Sequence, residues 1–118
     1  MLLLILFLVT TSVYALAQPA VDYDAKCREY GLVDLRSIDD EILVELKYAT
    51  EDNFMGVNMY GTLTNAYLEP VFAQKVIRAQ QILKSRYPNY TLLIYDAARP
   101  ISVQRYMHSA VQGTAFED

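Results

Sequence analysis

Polar and apolar positions alternate most clearly over residues 42–48. Ile42, Val44, Leu46 and Tyr48 fall on one side and Leu43, Glu45 and Lys47 on the other. A period of two predicts a strand with one covered face. A shorter apolar stretch, 32–35, predicts another strand, and residues 37–40 (Ser-Ile-Asp-Asp) read as a turn. Over 69–86 the period changes. Phe72, Val76, Ala79 and Leu83 recur at steps of four and three, predicting a helix that buries this stripe. Pro70 suits its first position, and Glu69 suits the positive end of the dipole. Tyr87-Pro88-Asn89 stops it. The run TLLIY, 91–95, predicts a central strand, and Ser102 is a candidate cap for a second helix over 103–110 that Gly113 ends. The order is strand, strand, long loop, helix, strand, helix. That is α+β, with an antiparallel or mixed sheet and packed helices, since only one crossover of the βαβ type fits.

Between the second strand and the long helix, residues 49–67 have no period. Phe54, Tyr60 and Tyr67 in that loop must pack somewhere, either pinning it to the core or lining a groove.

The first residues obey a different pattern. LLLILFLV is followed by an uncharged stretch that ends in Ala15-Leu16-Ala17. An apolar run of this length is short for a span and fits a cleaved leader, 1–17, with export to the periplasm or medium; a buried first helix or strand and a retained membrane anchor are the alternatives. Residues 18–31 are charged and polar and read as an ill-ordered lead-in. The folded domain is expected over 32–118, with no stable membrane span after leader cleavage.

Composition narrows the chemistry. The net charge is −4, from ten Lys plus Arg against fourteen Asp plus Glu, and there is no basic run. A nucleic-acid footprint is therefore not expected. One Cys (Cys27) cannot form an internal disulfide, and one Cys with one His (His108) cannot make the usual four-ligand structural zinc site. Cys27 is expected to be a lone, partly buried thiol. His108, on a short helix without strong companion ligands, is expected to be structural or solvent-facing. The serines lack a glycine elbow and no glycine-rich phosphate loop is present. The informative segment is YDAARP, 95–100. There a strand ends, and Asp96 and Arg99 follow within four residues. A guanidinium at a strand end is a rigid fork of donors for a carboxylate, or for an oxygen that gains charge during carbonyl attack. Asp96 either orients Arg99 or caps the next helix. The plain alternative is an Asp96–Arg99 pair that only ties strand to helix.

Taken together, YATEDNF (48–54), Gly56 to Tyr60, the helix over 67–86 and YDAARP resemble the D-alanyl-D-alanine dipeptidases (VanX type). These are zinc metallopeptidases related to the D-Ala-D-Ala carboxypeptidases and to the hedgehog signalling domain. The likeness runs over about 32–114. It implies a hedgehog/D-Ala-D-Ala peptidase-like fold and hydrolysis of the dipeptide D-Ala-D-Ala in cell-wall peptidoglycan metabolism. It also implies that Arg99 contacts substrate and stabilises the tetrahedral transition state, with Asp96 as its support. The family holds zinc through a Ser-x-His-x-x-Gly-x-Ala-x-Asp motif and a later His, with a Glu three residues before that His as base. This chain has neither motif. The resemblance therefore implies the N-terminal part of the domain, with no metal ligand, no cofactor expected in this chain and no activity expected from it alone. A related D,D-carboxypeptidase or endolysin, or a non-catalytic secreted domain on the same scaffold, are the alternatives.

Overall fold

The computed structural model describes residues 19–117, so the leader reading, 1–17, lies outside the described residues. The first element is a helix, α1 (Tyr23–Glu29), where the sequence suggested a loose lead-in. Three local features form it. The Asp22 side chain accepts the Ala25 N–H at the N-terminus. Gly31, at φ 74°, turns the chain at the other end. There the Gly31 and Leu32 amides return to the Arg28 and Cys27 carbonyls, a paired C-terminal closure. Tertiary contacts then hold it in place. Cys27 is buried, and Asp24 Oδ1 accepts from both Asn65 Nδ2 and Tyr67 Oη at 2.9 Å. Burial, with the Asp24 charge second, pushes the Cys27 thiol above its ordinary range.

Strand β1 (Val33–Asp34) leads into a 3-10 turn, Leu35–Ser37, whose Arg36 amide is taken by Asp34 Oδ1. Strand β2 (Leu43–Val44) is short by its ladder, yet the expected alternation holds beyond it. Ile42 and Leu46 are buried, Val44 and Tyr48 half-buried, and Leu43 and Glu45 exposed. After the long loop come β3 (Tyr67–Leu68), the helix α2 (Pro70–Arg86), β4 (Leu93–Ile94) and α3 (Ile101–Val111). β1 pairs antiparallel with β3, Val33 opposite Leu68. β2 pairs parallel with β4, Leu43 opposite Leu93, so the single crossover runs through α2. The result is a mixed α+β fold of small sheets and three helices among the described residues. None of these helices is long and apolar enough to cross a membrane.

The core gathers Leu35, Ile42, Leu46, Tyr60, Leu63 and Tyr67 from the strands and loop. It adds Ala73 and Ile77 from α2, and Val103 and Met107 from α3. The buried stripe of α2 is Ala73, Ile77 and Gln80, one position away from the stripe expected. Phe72 is 52% exposed and Ala79 is exposed. The reason is Gln80, a polar residue in the covered row. Its Oε1 accepts the Leu92 N–H and its Nε2 donates to Thr91 Oγ1, which in turn reaches the Glu41 carbonyl. A hydropathy pattern counts Gln80 as surface, so the stripe reads shifted. β4 departs from expectation too. Leu93 and Tyr95 are 42% and 50% exposed, because they share with the paired Leu43 a face of the β2–β4 ladder that is left uncovered, while Ile94 on the other face is half-buried. Ser102 does not cap α3. The helix starts after Pro100 with no side-chain cap, and Ser102 Oγ instead lies 3.4 Å from Tyr23 Oη.

Glu69 caps α2 with both carboxylate oxygens, one on the Val71 amide and one on the Phe72 amide. These bonds hold its carboxyl below the ordinary 4.5. A folded-state pKa depressed in this way contributes stability at pH above 4.5 that is lost as pH falls through the lower folded value. Urea unfolding across that acid window should therefore fall less steeply for Glu69→Gln than for the wild type. Parallel curves for the two proteins would remove the cap from the account.

Candidate functional site

The site begins where β4 ends. The Lys47 amide donates to the Tyr95 carbonyl and the Ala98 amide to the Tyr67 carbonyl, so the segment 95–98 is tied to β2 on one side and β3 on the other. Asp96 and Arg99 are therefore placed by backbone bonds at both flanks. Asp96 Oδ2 accepts from Arg99 Nη2 at 2.6 Å, while its Oδ1 accepts from Tyr60 Oη at 2.7 Å and from the Ala97 amide at 3.0 Å. Of the two roles open to Asp96 in the sequence, it has the first: it orients Arg99 and does not cap α3.

Arg99 is tied on every edge of its fork. Nε donates to Tyr60 Oη at 3.2 Å, and Nη1 donates to Gln104 Oε1 at 2.8 Å and to Met107 Sδ at 3.7 Å. One face of the guanidinium lies on the Tyr48 ring, 4.7 Å from its centroid. Of the five N–H groups of an arginine, one on Nη2 has no partner among the described residues. Burial works against the Arg99 charge, but the bonds to Asp96 and Tyr60 outweigh it and raise its pKa. Burial, then the bond to Asp96, raises that of Tyr60 despite the opposing Arg99. Both groups keep their protons through the physiological range.

The aromatic residues arrive through the loop, and Asn53 organises it. Its Oδ1 accepts the Met55 and Gly56 amides, and its Nδ2 reaches the Thr50 and Val57 carbonyls. Gly56, at φ 69°, makes the bend that an L side chain would resist. The loop then returns so that the Met59 and Tyr60 amides both bond the Tyr48 carbonyl. This packs Tyr60 against Tyr48, with centroids 5.8 Å apart and the rings inclined at 44°, and Phe54 follows edge-on to Tyr48 at 6.1 Å. Of the three loop rings singled out in the sequence, Tyr60 and Tyr67 are buried. Phe54 is 57% exposed and lines a groove.

That groove is an open cleft of about 600 Å³ walled by Tyr48, Phe54, Arg99, Gln104, His108 and Phe116. A second, smaller cavity of about 280 Å³ lies between α1 and the start of α3, and Arg99 borders it as well. His108 is exposed, on α3, in the wall of the larger cleft, with Glu117 also present there. No three His, Cys, Asp or Glu side chains come together to hold a metal among the described residues. Sequence reasoning singled out Arg99 and Asp96 and missed three of their partners. These are Tyr60, Tyr48 and Gln104, and the tyrosines lie 39 and 51 residues before Arg99.

The fold and the site together define an α+β domain that presents an internally braced arginine at the wall of an aromatic cleft. No family model, no curated protein and no solved structure matches the chain.

Proposed function

We propose that this chain is the substrate-binding part of an exported zinc dipeptidase acting on D-Ala-D-Ala, on a hedgehog/D-Ala-D-Ala peptidase-like scaffold. Arg99 is its transition-state donor and Asp96 the support of that donor. The observation that carries the proposal is the bracing of Arg99 at the cleft wall by Asp96, Tyr60 and Gln104, with Tyr48 behind it. A donor held in this way needs no reorganisation when charge appears on a substrate oxygen. The pairing with Asp96 also supports one of the two roles of a guanidinium over the other. With its charge largely balanced at 2.6 Å, Arg99 attracts a ground-state carboxylate weakly. Its remaining Nη2 hydrogen serves better as a bond to an oxygen whose charge grows during attack.

The zinc of such peptidases does not fit the residues described here. His108 and Glu117 share the cleft wall, but no third ligand joins them. The metal ligands and the general base would come from outside the described residues, and no chemical step is assigned to them. The internal bracing also favours a second reading, a non-catalytic secreted domain in which Arg99 is only a cross-link. Titration of the dipeptide into isotope-labelled protein separates the two. The proposal expects D-Ala-D-Ala to shift the resonances of Tyr48, Arg99 and Gln104, with L-Ala-L-Ala weaker and the effect lost in Arg99→Ala. Unmoved resonances around Arg99 would favour the cross-link.

A further inference from the structure

We infer that Tyr60 is a positioning residue for Arg99, and that through it the 49–67 loop sets the geometry of the cleft; the functional consequence rests on the reading above. Tyr60 is fully buried, with 0% of its surface exposed. Its hydroxyl has two assigned partners of opposite kind, Asp96 Oδ1 at 2.7 Å and Arg99 Nε at 3.2 Å. Arg99 Nε–H is always a donor, so the hydroxyl oxygen must accept from it and its own proton must go to Asp96. The polarity of the chain Arg99 to Tyr60 to Asp96 is therefore fixed, and Asp96 closes it by accepting from Nη2.

A side-on pair of contacts at Nε and Nη2 defines the plane of a guanidinium, whereas one contact leaves it free to swing about the other. Asp96 supplies the Nη2 contact and Tyr60 the Nε contact on that edge, beside Gln104 at Nη1 and the Tyr48 ring on one face. Tyr60 is in turn fixed by its amide, which bonds Asn58 Oδ1 at 2.9 Å and the Tyr48 carbonyl at 3.1 Å. The same Tyr48 carries the ring beneath Arg99. One of the surfaces that hold the arginine thus comes from the loop, closed on itself by Asn53 and Asn58, and another from Tyr48, where the loop begins.

Tyr60→Phe keeps the buried ring and removes only the hydroxyl. Two measurements test the inference. The first is the water-exchange rate of the Arg99 Nε–H proton by NMR, which needs no activity. It is expected to rise about tenfold or more in Tyr60→Phe, because the acceptor is gone. The second is turnover of D-Ala-D-Ala by a protein that carries this chain together with the zinc motif the reading requires. There kcat is expected to fall about tenfold with KM nearly unchanged, and Tyr60→Phe added to Arg99→Ala is expected to cost nothing further. An Nε–H proton exchanging at the wild-type rate in Tyr60→Phe would overturn the inference. So would a double variant whose losses multiply. A wild-type protein without turnover would instead sink the dipeptidase reading, and the exchange rates would still decide the role of Tyr60.

Discussion

In a protein that carries this chain together with the zinc motif, Arg99→Ala is expected to lower turnover of D-Ala-D-Ala per folded molecule about a hundredfold or more, the effect of removing one oxyanion donor, about 3 to 4 kcal/mol. Stability should fall as well. A donor at a strand end might be removed at little cost, but this one is bonded to Asp96, Tyr60 and Gln104 and stacked on Tyr48. Its loss leaves the half-buried Asp96 carboxylate and the Tyr60 hydroxyl short of a partner, at about 1 to 3 kcal/mol. Stability and turnover must therefore be measured on one preparation. Arg99→Lys should recover part of the stability and little of the turnover, since an ammonium cannot hold the Nε and Nη2 contacts together. Turnover per folded molecule near wild type in Arg99→Ala would reduce Arg99 to a strand-to-helix tie.

The largest stability effect expected away from the cleft belongs to Gln80. Its side chain is 1% exposed and joins α2 to the start of β4 through Thr91 and Leu92. Gln80→Ala leaves the Leu92 amide without its acceptor and opens a void beside Ile77. The cost should be about 2 to 4 kcal/mol in urea unfolding. Gln80→Glu keeps an acceptor for Leu92 but loses the Nε2 donor and buries a charge. It should be no more stable than the alanine variant at neutral pH and should recover as the carboxyl protonates in acid. A change below about 0.5 kcal/mol in Gln80→Ala would mean that the joint between α2 and β4 is held by something else.

These two residues mark the reach of sequence reasoning. The alternation around Ile42 to Tyr48 and the bounds of α2 were legible, because each follows from local periodicity and from end signals such as Glu69 and Pro70. The covered face of α2 was not legible, since Gln80 is polar yet satisfied by partners eleven and twelve residues away. Helix α1 was hidden for a similar reason. Its charged residues Asp24 and Arg28 spend their polarity on Tyr67, about forty residues on. In the site, Asp96 and Arg99 stood out because they are three residues apart at a strand end. Tyr60 and Tyr48 reach them only through the closure of a loop without period, which asparagine side chains hold together. The signal that was present is the run from Tyr48 to Asn53. Its asparagine is explained by the hydrogen bonds it makes, and its first tyrosine by the guanidinium stacked on it.

The central claim, that this chain belongs to a D-Ala-D-Ala dipeptidase, is tested most directly by D-alanine release. A protein that carries this chain together with the zinc motif the reading requires should be supplied with zinc and with D-Ala-D-Ala or L-Ala-L-Ala, and the freed D-alanine measured by a D-amino-acid oxidase assay. The account predicts release from the D,D-dipeptide that a chelator abolishes, that Arg99→Ala nearly abolishes and that the L,L-dipeptide does not give. No release by a folded, zinc-supplied protein would contradict it.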